Sequence, residues 1–434
     1  MKGTPTVSTI LPNGEILEMV YRPDENQTYF VLWKDGSWEY LKGYQLSEDQ
    51  RLTPYSPRNN LISNDVVLLP SGPEEYGSEE ELRNEIQAFI HKYVDLSPLF
   101  EKIASYYVLF SWVYDSFNEL PYLRFRGDPG SGKTRALLTI GSLCYKPIFA
   151  SGASSTSPLF RILDAFQGTL IIDESDFRFS DEKAELTKIL NNGNVRGFPV
   201  LRSELSPATK EYNPRAYRVF GPKIVATRGF FEDRALESRL FTEEMGQHRL
   251  RDNIPINLPA FHKEEALHLR NKLLLFRFRN LNKKIIQEGL VDRSIEPRLN
   301  QIFVPLLSII EDRQALADLR ELAKSYNRQM ISERGLDTEA QALEIIQELS
   351  QNPESRISVT EITNLFSGRH GQDYERRITP KWIGFLLRAK LNLKTHKSDG
   401  VFVIPPSEQP KLLRLYERYG LVSSDQPSPP LQSP

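Results

Sequence analysis

The stretch of sequence that decides the fold is Gly127-Asp128-Pro129-Gly130-Ser131-Gly132-Lys133-Thr134. Its glycines let backbone N–H groups converge on phosphate oxygens, because glycine tolerates dihedral angles that other residues avoid. Lys133 adds a positive charge for the β- and γ-phosphates, and Thr134 adds a hydroxyl ligand for Mg²⁺. A predicted strand, 121–126, precedes the loop and a predicted helix, 133–143, follows it. The stretch is therefore predicted to be a P-loop that binds ATP and Mg²⁺.

Two carboxylates end the apolar run Thr169-Leu-Ile-Ile-Asp173-Glu174. The run is predicted to be a buried strand, and ligands bind α/β proteins at the carboxyl ends of such strands. Asp173 is suited to hold Mg²⁺ through water, and Glu174 to orient and deprotonate the water that attacks the γ-phosphate. The alternative is that both acids only cap the next helix.

Further strands are predicted at 146–149, 168–172 and 222–226, with helical segments between them. Alternation of strands and helices predicts an α/β fold with a parallel sheet. The last of these strands leads into Thr227, whose hydroxyl is suited to bond the γ-phosphate or the attacking water.

Two arginines follow in the run Arg234-Ala-Leu-Glu-Ser-Arg239-Leu-Phe. Such an arginine can act in trans, stabilising transition-state charge in the site of a neighbouring subunit, with a gain of about 10³ to 10⁵ in rate. The alternative is an ordinary surface salt bridge.

The order of these motifs, from the glycine loop through Asp173-Glu174 and Thr227 to Arg239, resembles the AAA+ ATPases over roughly residues 85 to 350. The resemblance implies a ring, expected to be a hexamer, in which an adjacent subunit completes each site. Arg239 resembles the arginine finger by position. Arg298, in Glu296-Pro-Arg-Leu, resembles the arginine that the helical lid contributes to the nucleotide site.

An insertion between 194 and 222 is predicted to be a β-hairpin, with strands at 198–202 and 214–220 and with Lys210 and Tyr212 near its tip. It is similar to the pre-sensor hairpin of minichromosome-maintenance and superfamily III helicases. That resemblance implies a single DNA strand in a central channel, where Lys210 would meet phosphates and Tyr212 would stack on bases. The alternative is a solvated hairpin without a ligand.

The C-terminal block predicts two helices followed by a β-wing. Ser358 opens the first helix, Thr379 and Pro380 open the second, and the strand 401–404 follows. This order resembles the winged-helix domains of archaeal-type and mobile-element replicative helicases. Between 369 and 397 basic residues outnumber acidic ones, and the predicted contacts to duplex DNA are Arg376, Arg377, Lys381, Arg388 and Lys394. The alternatives are a protein-docking module and a merely solvated charged face.

Composition limits the kinds of site and partner that the chain can have. The chain has 434 residues, of which 39% are hydrophobic and 26% charged, and its net charge is -2, so any basic patch has to be local. One cysteine, Cys144, allows no internal disulfide, and the six histidines form no recognisable metal cluster with it. The first residues lack the apolar stretch of a secretory signal. We therefore expect no membrane span and a cytoplasmic location.

The predicted domains follow from changes in the hydrophobic pattern along the chain. They are a small β-rich accessory module at 1–75, an AAA+ core at 80–255, a helical lid at 256–350, a winged helix at 351–420 and a disordered tail at 421–434. The predicted activity is that of a ring-forming, ATP-hydrolysing DNA helicase or translocase for replication of a mobile element or phage. The main alternative is an ATP switch that acts as an initiator, helicase loader or defence regulator without unwinding. A metabolic kinase is a weaker alternative, because it leaves the hairpin and the winged helix unexplained.

Overall fold

The computed structural model describes residues 3–151, 156–173, 180–205, 210, 212–247, 249–335, 337–351, 356–371, 374, 377–398 and 400–421. The chain divides into two compact units, Met1–Glu321 and Leu322–Pro434. Within the described ranges, no helix is both long enough and apolar enough to cross a membrane.

The strands and helices of the described residues have the following bounds. The strands are β1 Thr4–Pro5, β2 Ser8–Ile10, β3 Ile16–Arg22, β4 Gln27–Lys34, β5 Ser37–Leu41, β6 Tyr44–Gln45, β7 Arg51–Thr53, β8 Tyr122–Arg126, β9 Ile148–Ser151, β10 Leu170–Asp173, β11 Val200–Leu205, β12 Tyr212–Tyr217, β13 Lys223–Thr227, β14 Leu240–Glu244, β15 His396–Ser398 and β16 Val401–Val403. The helices are α1 Asn60–Ser63, α2 Glu79–Tyr93, α3 Pro98–Trp112, α4 Lys133–Gly141, α5 Thr156–Phe166, α6 Ser180–Gly193, α7 Arg234–Glu237, α8 Phe261–Asn280, α9 Pro297–Leu307, α10 Arg313–Gly335, α11 Thr338–Ser350, α12 Val359–His370, α13 Pro380–Phe385 and α14 Gln409–Arg418.

The N-terminal strands form two small sheets, one of order β2-β3-β4-β5 and one of order β1-β7-β6. The turn between β4 and β5 has the sequence Lys34-Asp-Gly-Ser, and Lys34 pairs with Ser37. Asp35 and Gly36 both have positive φ, 49° and 79°, which is the backbone form that a two-residue hairpin turn requires. The sequence prediction of a β-rich N-terminal segment is confirmed.

A buried group of charges joins the N-terminal strands to the following helices. Glu18 on β3 accepts hydrogen bonds from Arg277 Nε at 2.8 Å and from the Tyr145 hydroxyl at 2.8 Å, and Lys146 Nζ lies 3.0 Å from its second oxygen. Arg277, on α8, also forms a two-point pair with Asp115 at 2.8 and 2.6 Å. Burial alone would raise the pKa of Glu18, but the charges of Lys146 and Arg277 hold that pKa below its ordinary value. The β strands are therefore fixed to the rest of this unit by paired charges inside it.

The central sheet has five strands in the order β14-β8-β13-β10-β9, and every neighbouring pair is parallel. β13 lies between β8, which leads into the P-loop, and β10, which ends at Asp173. The carboxyl ends of all three strands meet at one edge of the sheet, where α/β proteins bind ligands. The predicted α/β fold, a P-loop core with a parallel sheet, is confirmed.

In the second unit, α11, α12, α13, α14 and the β15–β16 hairpin surround one apolar core. This core includes Leu343 and Ile346 of α11 as well as Ile362 and Phe366 of α12. The sequence analysis placed the residues of α11 in the predicted helical lid, 256–350. Thr379 caps α13 by accepting from Trp382 N, as predicted, and a π-helical turn, Leu386–Lys390, continues the helix. The winged-helix assignment and the domain boundaries stay predictions.

Candidate nucleotide-binding site

The glycine loop joins β8 to α4 with the backbone that a P-loop needs. Gly130 and Gly132 have φ of 82° and 93°, a region that disfavours any side chain, and Gly132 is the N-cap of α4. A Cβ atom at Gly127 would lie 2.7 Å from the Met245 carbonyl oxygen. Residues after β14 therefore pack against the loop so closely that only glycine fits at its start.

Lys133 begins α4, and its side chain turns back into the loop. Its ammonium donates to the carbonyl oxygens of Gly127 and Asp128, each at 2.7 Å, and only 6% of the residue is exposed. Burial lowers the pKa of Lys133, while the charge of Asp173 acts in the opposite direction. The ammonium is thus held within the loop whose N–H groups would bind phosphate.

Thr134 and Asp173 come together at the edge of the sheet. The Thr134 hydroxyl donates to Asp173 Oδ2 at 3.0 Å. A hydroxyl and a carboxylate are hard oxygen donors of the kind that Mg²⁺ prefers, and Mg²⁺ usually takes only one or two carboxylates together with phosphates and water. The residues fit the ion in this sense, although the described part of the chain contains no cluster of three or more His, Cys, Asp or Glu residues that could hold a metal alone. Glu174 lies outside the described residues.

Thr227 is the last residue of β13 and lies next to the start of the loop. It pairs with Arg126 of β8, and its carbonyl oxygen accepts from Gly127 N at 3.2 Å. Its hydroxyl, however, donates to the Gly229 carbonyl oxygen at 2.9 Å, and only 3% of the residue is exposed. The structure therefore brings Thr227 to the predicted site with its hydroxyl engaged in a local turn.

Arg239 follows the short helix α7 and is partly buried. Its guanidinium donates to the Asn191 carbonyl oxygen at 3.1 Å and to the Asn191 side chain. Burial lowers the pKa of Arg239, and the nearby charge of Arg298 lowers that pKa further. Arg298 in turn donates to the Ala235 carbonyl oxygen at 2.7 Å. The structure thus brings the two predicted arginines together beside α7.

Both of these arginines keep a buried nitrogen without an acceptor. The Nε atoms of Arg239 and Arg298 are buried and have no hydrogen-bond partner among the described residues. Unsatisfied buried donors are rare in folded proteins. Sequence reasoning found each arginine separately but not their proximity, because α7 and α9 are brought together only by the tertiary fold.

The hairpin strands β11 and β12 pair in antiparallel register from Val200↔Tyr217 to Leu205↔Tyr212. The predicted hairpin is therefore present, with its first strand shifted two residues or more toward the tip. Tyr212 is 74% exposed, and Lys210 is exposed with φ of 55°. In the second unit, the described basic residues Arg377, Lys381, Arg388 and Lys394 are all exposed, whereas Arg376 lies outside the described residues.

No protein-family model and no curated protein matches the chain. Among solved structures, it is similar to the active helicase Cch of SCCmec type IV, with a TM-score of 0.41, 13% identity and coverage of 94% of this chain and 80% of that one. It is also similar to the C-terminal region of NrS-1, with a TM-score of 0.36, 11% identity and coverage of 89% and 95%. A third is the MCM homologue from Methanopyrus kandleri, with a TM-score of 0.36, 12% identity and coverage of 70% and 69%.

Proposed function

We propose that this chain is an ATP-hydrolysing, ring-forming DNA helicase or translocase that serves the replication of a mobile element or phage. The observation that carries the ATPase part is the hydrogen bond between Thr134 and Asp173. It joins the P-loop helix to the carboxylate that ends β10, at the edge of a parallel sheet where phosphates bind. Phosphoryl transfer depends mostly on positioning and charge, and this pair supplies both at one place.

Each loop and strand-end residue has a defined task in this proposal. The loop N–H groups and Lys133 bind the β- and γ-phosphates, while Thr134 and Asp173 hold Mg²⁺. When bound, Mg²⁺ neutralises charge on the phosphate oxygens. Glu174, directly after Asp173 in the chain, orients the attacking water and accepts its proton. Thr227 holds the end of β13 against Gly127.

The arginine pair beside α7 supports a site shared between subunits. Arg239 and Arg298 place two positive charges together, and each keeps a buried donor without an acceptor in the described structure. A phosphate group of a neighbouring subunit's nucleotide would offset the repulsion between the guanidinium groups. Arg298 is thereby proposed to act with Arg239 rather than at its own P-loop. A closed ring, proposed as a hexamer, would present this pair to every site.

The proposed DNA contacts are of two kinds. Tyr212 and Lys210 are exposed on the hairpin, where an aromatic ring and a cation suit a single strand. The exposed basic residues of the second unit suit the phosphates of duplex DNA. Neither set depends on sequence readout, because the proposed contacts are to phosphates and to the faces of bases.

The deciding test is steady-state ATP hydrolysis with and without single-stranded DNA, over a series of salt concentrations. Wild type is compared with Lys210→Ala and with the control Lys34→Ala, whose exposed lysine pairs with Glu15 in the N-terminal strands. We expect DNA to stimulate wild type and Lys34→Ala, and Lys210→Ala to keep its basal rate without stimulation. If wild-type turnover ignores DNA at every salt concentration, the motor proposal fails and the switch or loader alternative replaces it.

A further inference from the structure

The turn that follows β13 presents an arginine that the functional assignment above leaves without a role. Thr227 closes this turn, since its hydroxyl donates to the Gly229 carbonyl oxygen at 2.9 Å. Between them Arg228 is exposed to solvent. The buried threonine thus shapes the turn, and the arginine is the side chain that this strand end offers to a ligand.

The strand register places the turn beside both halves of the phosphate site. Thr227 pairs with Arg126, the residue before the glycine loop, and Gly127 N donates to the Thr227 carbonyl oxygen at 3.2 Å. On its other side β13 pairs with β10, with Ala226 opposite Asp173. Arg228 therefore leaves the sheet between the start of the P-loop and the proposed Mg²⁺ ligand.

The turn after β13 carries the positive charge of Arg228. Glu237 and Glu244 pair with other arginines, Arg124 and Arg126. Within the described ranges, Arg228 has no ion-pair partner. Lys133 Nζ donates to the Gly127 carbonyl oxygen at 2.7 Å, and Gly127 N donates to Thr227, the residue before Arg228, so both cations border the start of the glycine loop. Two cations close together repel each other, and an anion between them would turn this cost into a stabilising interaction.

We propose that Arg228 binds the terminal phosphate of the nucleoside triphosphate held by the P-loop of the same subunit, as a second cation beside Lys133. The inference rests on the proposed function, because it concerns the same nucleotide. A diphosphate lacks the group that Arg228 would contact, so the residue makes the site selective for the triphosphate. The guanidinium fork suits this task because it can bind phosphate oxygens at two points.

The test is a binding titration of a non-hydrolysable ATP analogue and of ADP, each with a fluorescent label, in Arg228→Ala, Arg228→Lys and wild type. A hydrogen bond to a charged group contributes about 1.5–3 kcal/mol, so Arg228→Ala should weaken binding of the triphosphate roughly tenfold to hundredfold. Binding of ADP should change less than about threefold, and Arg228→Lys should recover part of the triphosphate affinity. The control is Arg279→Ala, which removes an arginine of α8 that pairs with Glu75.

Two results would overturn the inference. One is equal weakening of triphosphate and diphosphate binding in Arg228→Ala. The other is triphosphate affinity in Arg228→Ala that matches Arg279→Ala. Failure of the proposed function itself has a separate sign, because Lys133→Ala would then bind both nucleotides as well as wild type. Since Arg228 is exposed, its variants should keep the wild-type melting temperature, and that measurement accompanies each titration.

Discussion

The Thr134 hydroxyl donates a hydrogen bond to Asp173 Oδ2 at 3.0 Å, although 39 positions separate the two residues in the chain. The bond connects the first turn of the P-loop helix to the end of a strand that is not a neighbour of the P-loop strand. β13 lies between those two strands, so the two oxygen ligands reach each other only above the edge of the sheet. The bond therefore depends on the glycine loop carrying Thr134 past the end of β13.

Asp173→Asn should reduce Mg²⁺-dependent turnover and leave Mg²⁺-free nucleotide binding intact. The amide keeps the size of the side chain but removes the charge that attracts the ion, so we expect turnover to fall about 10- to 100-fold. Nucleotide affinity measured in EDTA should stay near wild type. Thr134→Ser, which keeps the hydroxyl, is the matched control. Equal Mg²⁺ dependence in Asp173→Asn and wild type would contradict the assignment.

Glu174→Gln and Arg239→Ala should each lose turnover for different reasons. Glu174→Gln keeps nucleotide binding and loses the proton acceptor, whereas Arg239→Ala loses the contribution to a neighbour's site, an effect of about 10³ or more. Mixing the two variants should restore part of the activity, because one mixed interface contains both an intact Glu174 and an intact Arg239. Absence of rescue in assemblies shown to be mixed would remove the trans role.

Glu18→Ala should destabilise the first unit strongly. The substitution leaves Lys146 and Arg277 buried beside each other without their shared carboxylate, and breaking a buried pair in this way costs about 3–5 kcal/mol. Urea unfolding followed by tryptophan fluorescence measures the loss. Asp252→Ala removes one partner of the fully solvated pair with Arg249 and should change stability little. Similar midpoints for the two variants would show that the buried group of charges is not a stabilising contact.

Because of Lys223, the stability of the folded chain should depend on pH. Its ammonium donates to the carbonyl oxygens of Val219 and Gly221 at 2.8 and 2.9 Å, and burial lowers the pKa of Lys223 to about 7. Between pH 7 and the ordinary lysine pKa near 10.5, the unfolded chain holds the proton and the folded chain releases it. Stability contributed by this group therefore rises with pH, by at most about 1.4 kcal/mol per pH unit.

The measurement is the melting temperature of wild type and Lys223→Met from pH 6 to pH 9. Methionine has no proton to release, so the wild-type value should rise relative to the variant as the pH increases through 7. Parallel curves would mean that Lys223 titrates above this range in the folded chain.

Most of the structural features that could be predicted are specified by short, local sequence patterns. The glycine loop, the apolar strand ending at Asp173 and the Asp35-Gly36 turn are each specified by neighbouring residues, and the structure contains all three. Contacts between distant segments were not predictable in this way. Glu18 and Arg277 are 259 positions apart, and no periodicity in either segment indicates that they meet.

Arg228, the proposed phosphate-binding residue, was not predicted for a different reason. Arg228 stands directly after Thr227 in the sequence, and a charged residue at a strand end was visible there. The sequence does not show that the Thr227 hydroxyl donates to the Gly229 carbonyl oxygen in a turn that exposes Arg228. Likewise, the proximity of Arg298 to Arg239 depends on how α9 packs, which the motif around Pro297 does not encode.

Strand β13 connects the hairpin insertion to the P-loop. Its five residues begin at Lys223, whose ammonium ties together the carbonyl groups at the two ends of the hairpin insertion, Gly193 and Val219. They end at Thr227 against the start of the P-loop. An extended strand of five residues is about 13 Å long. In the proposed motor, this strand would carry a displacement from the nucleotide site to the root of the hairpin.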